Sequence, residues 1–134
     1  MLKKVDHIGI AVADLDQAIL LYETLLGTPC FKIENVGTEN VRTAFFQLDG
    51  LKIELVCSTA GGSAISTFIE KRGEGIHHIA FLVPDILAES ERLAADGFTL
   101  LNKAPSRGAD NKDINFLHPA GTGRVLVEVC AERN

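Results

Sequence analysis

The stretch D-H-I-G-I-A-V-A-D-L, Asp6–Leu15, decides the fold because the chain repeats it as H-H-I-A-F-L-V-P-D-I, His77–Ile86. Laid together without a gap, the two stretches match at four positions: His7 with His78, Ile8 with Ile79, Val12 with Val83 and Asp14 with Asp85. Each stretch reads as a short apolar strand that leads into a capped helix. The offset of 71 positions is too long for a solenoid repeat and indicates an internal duplication.

Each half of the chain closes on an apolar run that carries one glutamate. The runs are L-K-I-E-L-V around Glu54 and V-L-V-E-V around Glu128. From histidine to glutamate is 47 positions in the first half and 50 in the second. Two histidines and two carboxylates placed so regularly predict a divalent metal site built from a duplicated module.

The pattern between these landmarks predicts an α+β fold of two tandem βαβββ modules, which form a cupped, barrel-like mixed sheet with helices outside. We expect a single domain over residues 1–134, with module 1 at about 5–58, a connector at about 59–74 and module 2 at about 75–131. The predicted strands are Val5–Val12, Cys30–Val36, Val41–Leu48, Leu51–Ser58, Gly75–Val83, Phe98–Asn102, Asp113–Leu117 and Arg124–Ala131. The predicted helices run from Asp14 to Gly27, over Ser63–Lys71 and over Ile86–Ala95.

Strand alternation is expected to place the four candidate ligands on one face of the sheet. Successive side chains of a strand point to opposite faces. In the first strand, Ile8, Ile10 and Val12 form the apolar face that should pack on a helix, and His7 lies on the other face. The second copy repeats this pattern, and each glutamate also alternates with apolar residues. A curved sheet would then bring the four side chains together.

A single histidine on a half-buried strand is most often a hydrogen-bonded structural residue. A glutamate between apolar neighbours is harder to explain in this way, because a carboxylate is seldom buried without a partner. The same pair occurring twice, in register, favours metal binding. Imidazole and carboxylate ligands suit divalent cobalt, nickel, manganese or zinc, whereas a thiolate site is not indicated.

Composition excludes some other classes of function. Thirteen basic and eighteen acidic residues give a net charge of −5, and no basic stretch is dense enough to follow nucleic-acid phosphates. No apolar run approaches the ~18 residues of a membrane span, and no signal peptide is expected, because the N-terminus passes directly into a strand pattern. The three cysteines, Cys30, Cys57 and Cys130, have no C-x-x-C spacing. We therefore expect free thiols, a cytoplasmic location, and neither nucleic acid nor a membrane as a partner.

With these motifs, the chain resembles the vicinal oxygen chelate (glyoxalase/bleomycin resistance) superfamily over about residues 5–131. Within it, D-H-I-G-I-A-V, G-I-H-H-I-A-F, I-N-F-L-H-P and V-L-V-E-V are similar to the methylmalonyl-CoA epimerase family. Carried over by position, the resemblance implies one divalent metal held by four ligands: His7, Glu54, His78 and Glu128. It also implies a homodimer, an acyl-CoA substrate, and epimerisation by proton removal and return at the carbon alpha to the thioester.

Lactoylglutathione lyase (glyoxalase I), which acts on a glutathione hemithioacetal, is the nearest alternative because it uses the same type of ligand set. It typically has G-H-I-A and D-P-D-G-Y where this chain has H-H-I-A and H-P-A-G-T-G-R, so the epimerase is favoured. Glu54 instead favours lactoylglutathione lyase, since some epimerases have glutamine at that position. A non-catalytic ligand-binding protein of the same fold is a second alternative, although such binders do not need the full ligand set.

Inversion at carbon needs one acid/base group on each side of the reacting centre. Our hypothesis assigns these roles to Glu128 and Glu54. A further glutamate found in some epimerases corresponds to Thr43 here, which cannot take its place, and Glu39 is expected in the turn before that strand.

Other polar residues are weaker candidates for substrate contacts. Lys103, Arg107 and Lys112 occur in a glycine-containing loop, where they could meet coenzyme A phosphates or could be solvated charges. Asn115 alternates with apolar neighbours and is expected to face the cup. By contrast, His77 is expected on the opposite face of its strand, and His118 in a turn.

Overall fold

The computed structural model describes Leu2 and residues 4–134. The chain divides into two compact units. One unit is His7–His77, and the other joins the N-terminal residues through Asp6 to His78–Asn134. The prediction of a single domain with modules at 5–58 and 75–131 stays a prediction.

The elements follow the predicted order. In the first half they are β1 (Lys4–Ala11), α1 (Leu15–Leu26), β2 (Lys32–Val36), β3 (Val41–Gln47), β4 (Lys52–Ser58) and α2 (Ala64–Arg72). In the second half they are β5 (Gly75–Leu82), α3 (Ile86–Ala95), β6 (Ser106–Arg107), β7 (Lys112–Leu117) and β8 (Val127–Glu132). Short 3₁₀ turns occur at Gly37–Glu39 and Pro119–Gly121.

The strands belong to a mixed eight-stranded sheet in the order β2-β3-β4-β1-β5-β8-β7-β6. β1 pairs with β4 in parallel, and β4, β3 and β2 follow as antiparallel neighbours. The second half repeats this pattern, with β5 parallel to β8, followed by β7 and β6 in antiparallel pairs. The predicted α+β class and the two βαβββ repeats are confirmed.

Each unit has its own apolar core between its helix and one face of its strands. In the first unit the buried core residues are Val12, Leu15, Ala18, Ala44, Phe46 and Leu55. In the second unit they are Val83, Ile86, Leu93, Leu117, Val129 and Ala131. The strand residues among them alternate with the candidate ligands, so the helix-side face is apolar and the other face carries the candidate ligands.

The aspartates at matching positions of the repeat cap matching helices. The carboxylate of Asp14 accepts a hydrogen bond from the backbone N–H of Gln17 at 3.1 Å. That of Asp85 accepts from Leu87 and Ala88 at 3.0 and 3.1 Å. These bonds satisfy backbone donors that have no partner inside the helix. Gly27 ends α1 with φ 65°, a left-handed conformation that favours glycine.

We expect Asp85→Ala to lower the free energy of unfolding by about 1 kcal/mol, because two N–H groups of α3 lose their acceptor. Urea unfolding followed by circular dichroism measures the change. Glu91→Ala, at an exposed position of the same helix, is the control and should be close to neutral. A variant Asp85→Ala as stable as the wild type would contradict the capping role.

The segment Phe98–Asn102 is not a strand, so that prediction is wrong. It meets β7 at a single bridge, Leu100 to Leu117, supported by a hydrogen bond from the N–H of Leu101 to the carbonyl of Phe116 at 2.8 Å. The edge of this half is instead Ser106–Arg107, only two residues long. The edge strands of the two halves therefore differ in length, since β2 has five residues.

Helix α1 has a buried face and an exposed face. Leu21 and Leu25 are 63% and 68% exposed, whereas Leu15 and Ala18 are buried.

No helix within Leu2 and residues 4–134 has both the length and the apolar character needed to cross a membrane.

All three cysteines are free thiols, as predicted. Burial raises the pKa of the Cys57 thiol above its ordinary value, and the hydrogen bond and positive charge of Arg42 offset this only in part. A raised pKa leaves less thiolate at neutral pH, and the thiolate is the reactive form.

We expect the alkylation of Cys57 by iodoacetamide to reach half its maximal rate at a higher pH in the folded protein than in urea. The rate at Cys57 can be followed by peptide mass spectrometry across pH 6–10. The same thiol in the unfolded chain is the internal control. A midpoint in the folded protein at or below that in urea would contradict the effect of burial.

Candidate metal centre

The first histidine–glutamate pair lies on the parallel strands β1 and β4. The Nε2 atom of His7 is 3.4 Å from Oε1 of Glu54, and the two side chains are 8% and 7% exposed. Register explains the contact: Glu54 is the partner of Gly9, and Gly9 lies on the same face of β1 as His7. The glutamate therefore reaches the histidine from the neighbouring strand.

The second pair repeats this arrangement on β5 and β8. Nε2 of His78 is 3.4 Å from Oε1 of Glu128, and both side chains are 5% exposed. Glu128 is the partner of Ala80, two positions after His78. In both halves, the glutamate is in register with the second residue after the histidine.

The donor set fits a divalent ion. Each half contributes one buried imidazole nitrogen and one buried carboxylate oxygen, which lie 3.4 Å apart. Imidazole nitrogens and carboxylate oxygens are the ligands that divalent first-row metals accept. Burying a carboxylate without a partner is costly in free energy. The neighbouring imidazole nitrogen offsets this cost for each glutamate.

A phenylalanine accompanies each pair, which the sequence reasoning missed. Phe45 is the cross-strand partner of Glu54, and its ring is perpendicular to that of His7, with centroids 6.4 Å apart. Phe116 is the partner of Glu128, and its ring stands at 88° to that of His78, with centroids 5.8 Å apart. The sequence contained a sign of this arrangement, because Phe45 and Phe116 are separated by 71 positions, the same spacing as the two histidines.

Asn115 does not lie on the face of the ligands, so its predicted orientation is wrong. It is the cross-strand partner of Val129, a helix-side core residue. Its amide donates to the carbonyl of Asn102 at 2.9 Å and accepts from the backbone N–H of Phe116 at 2.8 Å. Asn115 therefore fastens the chain around Asn102 to β7.

The three basic candidates have different surroundings. Lys112 is buried, and its ammonium lies 3.3 Å from the carboxylate of Asp110 and 3.4 Å from that of Glu132. Two carboxylates of the protein therefore already balance the positive charge of Lys112. Lys103 and Arg107 are exposed.

The remaining polar predictions concern residues near the pairs. The His77 ring meets the Phe68 ring edge-on at 5.0 Å, and Nδ1 of His118 accepts from the N–H of Ala120 in a turn, as expected. Glu39 ends the 3₁₀ turn before β3, also as expected. Thr43 is buried on β3, and its hydroxyl donates to the carbonyl of Glu34 at 3.5 Å.

The structure thus has two βαβββ repeats, each with one buried histidine–glutamate pair. Both features agree with the resemblance to the vicinal oxygen chelate superfamily. Residues 6–116 match the model of the glyoxalase/bleomycin resistance protein/dioxygenase superfamily. Because the match covers more than half of the chain, the chain belongs to this superfamily.

Within the superfamily, the relatives of the chain include methylmalonyl-CoA epimerases. It is 37% identical over 131 residues to the ethylmalonyl-CoA/methylmalonyl-CoA epimerase of Cereibacter sphaeroides, covering 96% of this chain and 98% of that one. It is also 38% identical over 129 residues to the uncharacterised protein YqjC of Bacillus subtilis, covering 96% and 92%. The resemblance to epimerases drawn from the motifs is confirmed.

Solved structures agree with this assignment. The methylmalonyl-CoA epimerase of Mycobacterium tuberculosis has a TM-score of 0.94 at 36% identity, covering 99% of this chain and 90% of that one. A variant of the Streptomyces coelicolor methylmalonyl-CoA epimerase, in complex with 2-nitronate-propionyl-CoA, has a TM-score of 0.93 at 34% identity and covers both chains completely. The predicted glyoxalase-like fold is confirmed.

Proposed function

We propose that this chain is a metal-dependent methylmalonyl-CoA epimerase. The observation that carries the proposal is the buried histidine–glutamate pair, present in each half at the same Nε2–Oε1 distance of 3.4 Å. Near full-length similarity to epimerases supports the same reading. A duplicated pair of this kind provides ligands and acid/base groups together.

The residues proposed to hold the metal are His7, Glu54, His78 and Glu128. Cobalt, nickel, manganese and zinc all accept this donor set, and the native ion depends on supply as well as on ligand type. When bound, a divalent ion supplies Lewis-acid stabilisation of the negative charge that develops on the thioester oxygen.

The two glutamates are the proposed acid/base groups. The proton on the carbon between the thioester and the carboxylate of the substrate is moderately acidic, so a carboxylate can remove it once the resulting charge is stabilised. Epimerisation requires that the proton leave one face of this carbon and that another arrive on the opposite face. We assign these roles to Glu128 and Glu54. Thr43 has no ionisable group in the relevant range and is not a candidate.

The proposed substrate is an acyl-CoA thioester. Lys103 and Arg107 are exposed and could pair with coenzyme A phosphates. Lys112 is a weaker choice because its ammonium already meets the carboxylates of Asp110 and Glu132. We also propose that the enzyme is a homodimer, as the family resemblance implied, and that it is cytoplasmic, as the cysteine pattern indicated.

The proposal is tested by incubating the purified protein with methylmalonyl-CoA in deuterium oxide. We expect the enzyme to incorporate deuterium at the alpha carbon. Treatment of the enzyme with a chelator should abolish this incorporation, and added cobalt should restore it. A parallel assay with a glutathione hemithioacetal separates the alternatives. Turnover of the hemithioacetal alone would assign a lactoylglutathione lyase, and ligand binding without either reaction would assign a binding protein.

A further inference from the structure

The two phenylalanines that accompany the histidine–glutamate pairs have a distinctive placement. Phe45 and Phe116 each stand opposite a ligand glutamate on the neighbouring antiparallel strand and perpendicular to a ligand histidine. The arrangement occurs once in each unit, with angles of 90° and 88°. A chance ring contact would not be expected to repeat with the same cross-strand partner.

A perpendicular ring has a specific effect on a metal-binding histidine. The terminal torsion of histidine is broad, so backbone position alone does not direct Nε2 toward the metal. An edge-to-face contact with an aromatic ring has a preferred geometry and thus restricts this rotation. Residues around the ligands orient them, and an apolar shell limits the access of water.

We propose that Phe45 and Phe116 are positioning residues of the metal centre, which hold the imidazoles of His7 and His78 with Nε2 directed at the partner carboxylates. This inference rests on the proposed function, because it assumes that the pairs bind a divalent ion. Phe45 acts in the first unit, where its ring is 1% exposed and also contacts Phe31. Phe116 acts in the second unit.

Phe46 provides a matched comparison within the same strand. It is fully buried, like Phe45, but it belongs to the helix-side core. Substituting either phenylalanine with leucine removes a buried ring, so both variants should lose stability. Only the variant at Phe45 should change the metal centre, because the ring of Phe46 lies on the opposite face from His7.

The experiment titrates metal-free wild type and the variants Phe45→Leu, Phe116→Leu, Phe116→Tyr and Phe46→Leu with Co²⁺. The visible absorption of bound cobalt gives both the dissociation constant and the ligand geometry, and the melting temperature of each metal-free protein reports the folding. We expect Phe45→Leu and Phe116→Leu to raise the cobalt dissociation constant by about 2–10-fold, which corresponds to the loss of one edge-to-face aromatic contact. Their cobalt spectra should also change. Phe116→Tyr keeps the ring and should restore both properties.

Unchanged affinity and spectrum in Phe45→Leu and Phe116→Leu would overturn the inference while the proposed metal centre stands. An equal loss of affinity in Phe46→Leu would overturn it as well, because the effect would then follow core packing. If Phe45→Leu does not fold, the half-buried Phe116 decides the question alone. A wild type that binds no cobalt would overturn the proposed metal centre together with this inference.

Discussion

Replacing Glu128 with glutamine is expected to abolish exchange of the substrate's alpha hydrogen with solvent while leaving the fold intact. An amide cannot accept the proton that a carboxylate removes, and loss of a positioned acid/base group typically costs ~10²–10⁴-fold in rate. Glutamine is nearly the same size as glutamate, so the packing at this buried position should be kept. Deuterium incorporation into methylmalonyl-CoA, followed by mass spectrometry, measures the loss.

Two controls separate the proposed acid/base role of Glu128 from its proposed role as a ligand. Metal content after purification shows whether the variant still holds its ion, because an amide oxygen can also coordinate. Glu132→Gln changes an exposed glutamate of the same strand and should retain full exchange. Full exchange in Glu128→Gln would remove this residue from the mechanism.

Replacing His78 with alanine is expected to lower metal affinity by more than ~100-fold, because losing a ligand should exceed the effect of losing a group around one. The variant also leaves the buried carboxylate of Glu128 without the imidazole that lies 3.4 Å away. Elemental analysis of protein purified without chelator measures the bound metal. Cobalt titration then gives the change in affinity.

The adjacent histidine is the matched control for this variant. His77 lies one position earlier on β5, and its ring packs on that of Phe68. Because neighbouring residues of a strand face opposite sides, His77→Ala should keep its metal. Equal metal content in His78→Ala and the wild type would exclude His78 as a ligand.

Strand alternation made much of this site predictable from the sequence. A period of two residues assigns each side chain to a face once the strand is recognised, and the repeat identified the strands that carry His7 and His78. The glutamates could be assigned in the same way, because each is flanked by apolar residues in a closing strand. Alternation gives the face of a residue but not its neighbour on the next strand.

Cross-strand register was the information that the sequence lacked. Asn115 could be assigned to the wrong face because the chain between β7 and β8 is long and includes a 3₁₀ turn, so no tight hairpin sets the register. The turn at Asp49-Gly50 is different, since it joins β3 and β4 with a hydrogen bond from the N–H of Leu48 to the carbonyl of Leu51 at 2.9 Å. There the strand boundaries were predicted almost to the residue.

One further error has a local cause. The segment Phe98–Asn102 has strand-like composition, but the amide of Asn115 holds Asn102 at both its N–H and its carbonyl, at 3.3 and 2.9 Å. A side-chain contact of this kind is tertiary information and leaves no pattern in the sequence.

The distance along the chain between the members of each pair has a practical consequence. The proposed ion, held by all four ligands, would link His7 to Glu54 across 47 positions and His78 to Glu128 across 50 positions. A ligand that binds only the folded chain stabilises it by mass action. Under the proposed function, cultures grown on different trace-element supplies will therefore yield enzyme of one sequence but of different heat tolerance.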